Sequence, residues 1–438
     1  NTPVFFIRDQ AKFQHFINTQ KRNPQNNLTH MDDSTNFWDW LGQNPEAIHQ
    51  FIYLFGPRGI PASWAQMQGY SGHSFKFVNS EGAWKFCQIH VLSNQGTKNL
   101  SSDEAAGMSP DVHQKDLFER IENGQFPSWS VKYQLASMEE LQAAQVDPFD
   151  LTKTWDRKKF PLHELGQLEL NKNVANYFAE IEQVAFLPSA LVPGFEPSAD
   201  PVLQSRLFSY PDTHRHRLGP NYLQLPVNAP SNVAYPMYNF QRNGFGAMLN
   251  QGARPNHLSS LSPPQFKPRP YDIGKINGHT DGHAIAHLSG LKATDFDQPR
   301  ALYGRVFTEV ERKTFIKEVS GHMQTCTSKD VLANAIAVFH QVDADLAAQI
   351  AKNVGVTKYV KDIKQMRFMG SHNHEAGLTA QQMIAELHPQ SMQSSGQANG
   401  GMNGHAQGEQ QNGHHDAGSQ QPSAVSNLVD KVKQVFAN

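Results

Sequence analysis

Arg206 and Tyr210 stand four residues apart in the run Arg206-Leu207-Phe208-Ser209-Tyr210-Pro211, so on a helix they share one face one turn apart. A phenol is a poor metal ligand while it holds its proton. A guanidinium one turn away stabilises the phenolate and turns the oxygen into a strong anionic donor. Arg-x-x-x-Tyr alone also fits an ordinary contact on a surface helix, so the flanking residues decide what the pair is worth. Asp200 is a good N-cap, Pro201 suits the first helical position, and Pro211 is expected to end the helical run. The following His214-Arg215-His216-Arg217 has histidines two apart without the partners zinc requires, and no His-Glu-x-x-His run occurs anywhere.

The elements that must position this pair are read from the rest of the chain. Its 438 residues carry a formal charge of −2, so no global field draws it to nucleic acid or to anionic lipid. No apolar run is long enough to span a bilayer. Two cysteines, Cys87 and Cys326, form no close-spaced pair, which suits a reducing compartment; the reading is cytoplasmic, with the peroxisome as the alternative and no C-terminal targeting tripeptide. Phenylalanine is abundant at 27 residues, which suits a flat aromatic cofactor and an ordinary large core equally. Phe5, Phe6, Phe13 and Phe16 have mixed spacing and read as core.

The organisation is α+β. Residues 74–135 read as antiparallel sheet, with a hairpin around Asn79-Ser80-Glu81-Gly82 and an alternating strand at Trp129, Val131 and Tyr133. Helical stretches are expected at 116–121 and 138–144, and another structured segment at 176–186. Residues 1–225 form the expected core. Residues 226–300 turn to Pro, Asn, Gly and Gln with little periodicity, as in a long functional arm or disorder. Residues 301–366 read as a helical domain, with Val331, Leu332, Ile336, Val338 and Phe339 as its apolar stripe. A low-complexity linker follows over 367–422, in which His405, His414 and His415 read as a solvated tail. An amphipathic helix over 423–438 presents Leu428, Val429, Val432, Val435 and Phe436 on one face.

The uninterrupted run from Arg206 to Tyr222 resembles the proximal haem segment of monofunctional catalases of the small-subunit type, in which haem is held by a tyrosine. Further colinear matches lie at Arg8-Asp9, Gln20 to Gln25, Arg58 to Pro61, Asn99-Leu100, Pro148 to Lys153 and Asn176 to Glu180, so that the resemblance covers about residues 1 to 350. It implies a partial antiparallel β-barrel, a wrapping arm over 226–300, a homotetramer, haem b, and the disproportionation of hydrogen peroxide to water and dioxygen. Tyr210 would be the axial ligand. Arg206, His73 and Asp200 would form the network behind it, and Arg217 would pair with a haem propionate, a plain surface ion pair being the other reading. His214 and Pro188 would touch the proximal side, while Phe5 and Phe13 would wall the haem and the peroxide channel.

The same resemblance argues against bound NADPH. His49 and Arg58 match the nucleotide-binding pattern, but Gly56, Leu92 and Arg157 stand where binders have serine, lysine and histidine. The start at Asn1 reads as the interior of a domain, so a fragment is expected. The distal histidine is absent from the chain, and the distal asparagine belongs immediately upstream of Asn1. On that reading the chain carries the proximal half of the site and has little activity alone. An allene oxide synthase-like enzyme and a non-catalytic haem-binding subunit are the alternatives.

Overall fold

The computed structural model describes residues 1–229 except residue 31, scattered positions between 247 and 261, and residues 291–365. The expected arm of 226–300 lies largely outside the described residues, and the linker of 367–422 and tail helix of 423–438 lie wholly outside them.

The sheet is antiparallel and built where alternation predicts it. Its strands are β1 (Gly69–Tyr70), β2 (Phe75–Val78), β3 (Trp84–Ser93), β4 (Ser128–Ala136), β5 (His163–Glu169) and β6 (Phe195–Glu196). They run in the order β5-β4-β3-β2-β6, with β1 also pairing β3, and a register shift at Val131/Lys132 bends the β4–β5 ladder. The β2–β3 hairpin closes as expected: Asn79 N–H donates to Ala83 O at 2.9 Å, and Gly82 supplies a φ of 85° that the turn needs.

Alternation sends neighbouring residues to opposite faces. On one face Phe86 and its cross-strand partner Ala136 pack with Leu141, Phe149, Trp155 and Phe160. On the other, Cys87 and its partner Leu135 meet Phe75, Ile89 and Leu203. Burial pushes the Cys87 thiol up, so it behaves as a small apolar side chain.

The helical layer draws on both ends of the described chain. Early helices are α1 (Ala11–Asn18), α2 (Thr35–Gln43) and α3 (Ile48–Phe55); α4 (Ser102–Ala106), α5 (Val112–Glu122) and α6 (Met138–Ala143) lie between strands. After α7 (Pro201–Leu218) come α8 (Asp297–Ala301), α9 (Glu309–Met323), α10 (Lys329–Val342) and α11 (Ala344–Val354). One large cluster joins Ile7, Trp38, Leu41, Phe51 and Ile52 to Phe315, Ile336, Phe339 and Ile350. Of the stripe read on α10, Leu332, Ile336, Val338 and Phe339 are buried in this cluster, with Val331 packed against it. Ser, Thr and Asp caps open α4, α6, α9, α10 and α11, three of them as reciprocal capping boxes.

A buried ionic cluster ties the layers together. Arg8, 1% exposed, grips Asp295 through two parallel bonds of 2.8 and 2.9 Å and Asp150 at 3.0 Å. Lys153 reaches both carboxylates, at 2.9 Å and 2.7 Å, and Phe5 N–H donates to Leu151 O at 2.8 Å beside them. Segment 5–8, loop 150–153 and the start of the C-terminal helices are thereby held at one point.

Candidate functional site

The helix that carries the Arg–Tyr pair begins as its sequence predicts. Asp200 Oδ1 accepts from Val202 N–H at 2.9 Å and Leu203 N–H at 3.2 Å, and Pro201 follows at the first helical position. Its end differs from expectation. The helix continues through Pro211 to Leu218 and stops at Gly219, whose φ of 102° few other residues tolerate. Proline removes one main-chain bond, the one that residue 211 would give to Leu207 O, but its fixed φ is helical. The remaining turns hold the helix, with Gly219 N–H closing on Arg215 O at 3.0 Å. Leu203, fully buried, and Leu207 press α7 onto the Phe75–Cys87 face of the sheet.

That packing brings His73, just before β2, against the helix start. Its Nδ1 lies 2.7 Å from Asp200 Oδ2, and its Nε2 lies 2.7 Å from the Arg206 guanidinium. Arginine can only donate, so Nε2 must hold the lone pair and Nδ1 the proton. Arg206 then donates to the Tyr210 hydroxyl at 3.1 Å, with its guanidinium carbon 4.9 Å from the ring centroid. The result is a directed chain, Asp200 to His73 to Arg206 to Tyr210. Asp200 and His73 are buried, Arg206 and Tyr210 half-buried. His73 and Asp200 thus hold the guanidinium that donates to Tyr210, while the other Asp200 oxygen caps the helix.

The other predicted residues fall around the same helix. His214 is buried on α7, its ring centroid 6.2 Å from that of Tyr210, and its Nε2 donates to Phe186 O at 2.9 Å. Arg217 turns onto the backbone, donating to Glu182 O, to Val184 O at 2.6 Å and to His214 Nδ1 at 3.2 Å. Three of its five N–H groups are used there. Pro188 is half-buried two residues past Phe186. Phe5 and Phe13 stack with centroids 6.3 Å apart, Phe13 being 44% exposed and Phe5 packed against the helical core. Asn228 was not singled out from sequence, yet it bonds the backbone of residues 183 and 185; an asparagine in a loop gives no signal of such a role.

Asn1 has both ends of its amide committed: Nδ2 donates to Arg58 O at 2.9 Å, and Oδ1 accepts from Gln68 N–H at 3.0 Å. Of the residues matching the nucleotide pattern, His49 is buried, bonded to Thr152 O at 2.8 Å, and pushed by burial to a pKa of about 4. Arg58 donates to the Tyr70 hydroxyl at 3.2 Å. A Cβ on Gly56 would fall 2.5 Å from Ile52 O and 2.6 Å from Phe307 Cζ. Phe307 therefore fills the space that a serine there would need.

Among the described residues no cluster of three or more His, Cys, Asp or Glu side chains is placed to hold a bare metal ion. One phenol oxygen backed by a guanidinium is a donor set that would suit a metal bringing its other ligands with it. Fold and site thus define an α+β protein whose antiparallel sheet carries a helix with a tyrosine hydroxyl held by a His–Asp-anchored arginine.

Comparison with known proteins makes this specific. The catalase family model matches residues 1–263, and the model for catalase-related immune-responsive domains matches residues 290–354. Catalase-A of Dictyostelium discoideum is 44% identical over 365 residues, spanning 81% of this chain and 71% of its own length. A peroxisomal catalase of Candida tropicalis is 50% identical over 359 residues, covering 81% and 73% of the two chains. Among solved structures, catalase A from Saccharomyces cerevisiae superposes with a TM-score of 0.73 at 42% identity, over 81% of this chain and 73% of that one. A fungal catalase gives 0.74 at 43%, over 81% and 72%. The chain belongs to the catalase family. No helix among the described residues is long and apolar enough to cross a membrane.

Proposed function

We propose that the chain works as a haem-dependent catalase, reducing one hydrogen peroxide to water while a second is oxidised to dioxygen. The observation that carries this reading is the Asp200–His73–Arg206–Tyr210 chain, which ends on a single oxygen donor. Haem b, when bound, supplies the redox-active iron. The protein's part is to hold it: Tyr210 would give the iron its protein oxygen ligand, and Arg206 would donate to that oxygen from behind. His73 and Asp200 fix Arg206 in place. The two N–H groups that Arg217 does not spend on backbone and His214 would pair with a propionate, and Pro188 and His214 would contact the haem on the side of Tyr210. Phe5 and Phe13 form an apolar approach that admits a small neutral peroxide and hinders larger reductants.

The described residues favour an enzyme without bound NADPH. His49 is buried and bonded inward, Gly56 is crowded by Phe307, and Leu92 offers no cation to a phosphate. The working form is a homotetramer in the cytoplasm, with the peroxisome as the alternative raised by relatives named as peroxisomal catalases.

The test is to load the chain with ferric haem and compare it with Tyr210→Phe. The unsubstituted protein should show the absorption of a phenolate-ligated ferric haem, and the variant should lose it. An unchanged ferric spectrum excludes the assignment. Oxygen evolution from hydrogen peroxide against consumption of a fatty-acid hydroperoxide then separates a catalase from an allene oxide synthase-like enzyme.

A further inference from the structure

Residues 183–186 follow the π-helical turn Phe178–Glu182 without regular structure, yet each of them, and Glu182 before them, has a backbone group bonded to a side chain. Arg217 takes Glu182 O and Val184 O, and His214 takes Phe186 O. Asn228 fills the gaps between them: its Nδ2 donates to Gln183 O at 2.8 Å, and its Oδ1 accepts from Ala185 N–H at 2.7 Å. Three side chains thus read five consecutive residues through the main chain alone.

The clamp connects directly to the Tyr210 ring. Asn228 Nδ2 also reaches Tyr222 O at 3.0 Å. The buried Tyr222 ring lies 5.6 Å from His214, and His214 lies 6.2 Å from Tyr210. With Nε2 donating to Phe186 O, His214 must accept at Nδ1, where Arg217 donates at 3.2 Å. The imidazole between the two tyrosine rings therefore has both nitrogens fixed, and its tilt depends on where residues 182–186 lie.

We propose that Asn228 is a positioning residue for the Tyr210 ligand: by clamping residues 182–186 against α7 it locks His214 beside the phenol and sets the placement of Pro188. The inference rests on the haem reading given above. Asn228 acts through His214 and the backbone it holds.

The experiment uses the full chain loaded with ferric haem b and compares Asn228→Ala, Asn228→Asp and Tyr210→Phe. Amide hydrogen exchange at Ala185 reports the clamp, while the ferric visible bands and the rate of haem transfer to excess apomyoglobin report the ligand. Asn228→Ala should speed exchange at Ala185 by about five- to tenfold, the effect of losing one hydrogen bond. It should also shift the visible bands and accelerate haem transfer several-fold, with exchange in α9–α11 unchanged. Asn228→Asp keeps the acceptor for Ala185, so protection there should persist. Faster Ala185 exchange with wild-type bands and wild-type haem transfer would make Asn228 purely structural and overturn the proposal. So would unchanged Ala185 exchange in Asn228→Ala. Bands that Tyr210→Phe also fails to move overturn the haem reading itself; bands moved by Tyr210→Phe but not by Asn228→Ala overturn only this inference.

Discussion

The ionic cluster at Arg8 offers the most quantitative test of how the structure holds together. Asp295 accepts from Arg8 at 2.8 and 2.9 Å, from Lys153 at 2.7 Å and from Lys292 N–H at 2.8 Å, with its side chain fully shielded from solvent. Two carboxylates and two cations balance there. Replacing Asp295 by leucine removes both of its bonds to Arg8, 1% exposed, and its contact with Lys153, so that the cluster is left with one positive charge in excess over Asp150. Breaking a buried pair in this way costs about 3–5 kcal/mol, whereas replacing both partners by apolar groups costs far less. Arg8→Met should cost a similar amount by stranding the two acids with Lys153. The double variant should lose at least about 2 kcal/mol less than the sum of the singles, the coupling expected of residues in contact. Equilibrium urea unfolding of the four proteins, followed by far-UV circular dichroism, measures the cycle. Single variants that each lose less than about 1 kcal/mol, or losses that simply add, would show that the cluster is not the clasp its geometry describes.

Two shorter tests use the same measurement. Burial raises the Asp150 carboxyl, but Arg8 and Lys153 outweigh it and hold the group down at about 2. Its folded pKa is therefore depressed, so its contribution, about 2 kcal/mol, is present above pH ~4 and is lost as pH falls toward 2. Urea midpoints should decline through that window, and less so in Arg8→Met; a flat profile contradicts the assignment. Gly56→Ala should destabilise by about 1–3 kcal/mol, because its Cβ meets Ile52 O and Phe307 Cζ well inside contact distance. Relief in the Gly56→Ala/Phe307→Leu double variant separates this clash from the carbonyl contact, and an unchanged midpoint in the single variant refutes both.

How much of this was legible beforehand depended on how local the cause was. The start of α7 is written in Asp200-Pro201, and the sheet in the alternation around Trp129 to Tyr133, because caps and period-2 patterns need only neighbouring residues. The passage of α7 through Pro211 departs from the local signal, since one lost bond is outweighed by the turns and the sheet packing on either side. Arg206 and Tyr210 announced themselves by spacing. His73 and its pairing with Asp200, 127 residues away, come only through resemblance, and Asn228 by neither route. The joining of residues 7–52 with the C-terminal helices was equally hidden, because no local pattern says which apolar faces will meet.

The contact between His73 and Asp200 has a kinetic consequence. The same carboxylate caps α7 and accepts a hydrogen bond from the histidine, which stands 127 residues earlier in the chain. Contacts of such separation are made late, once the sheet has collapsed and the helix has docked on it. A chain still on its way to the native state can have the helix and its tyrosine, but not the guanidinium held in place behind the oxygen. Completion of this network is thereby tied to completion of the tertiary fold, so a half-folded chain lacks the guanidinium held behind the Tyr210 oxygen.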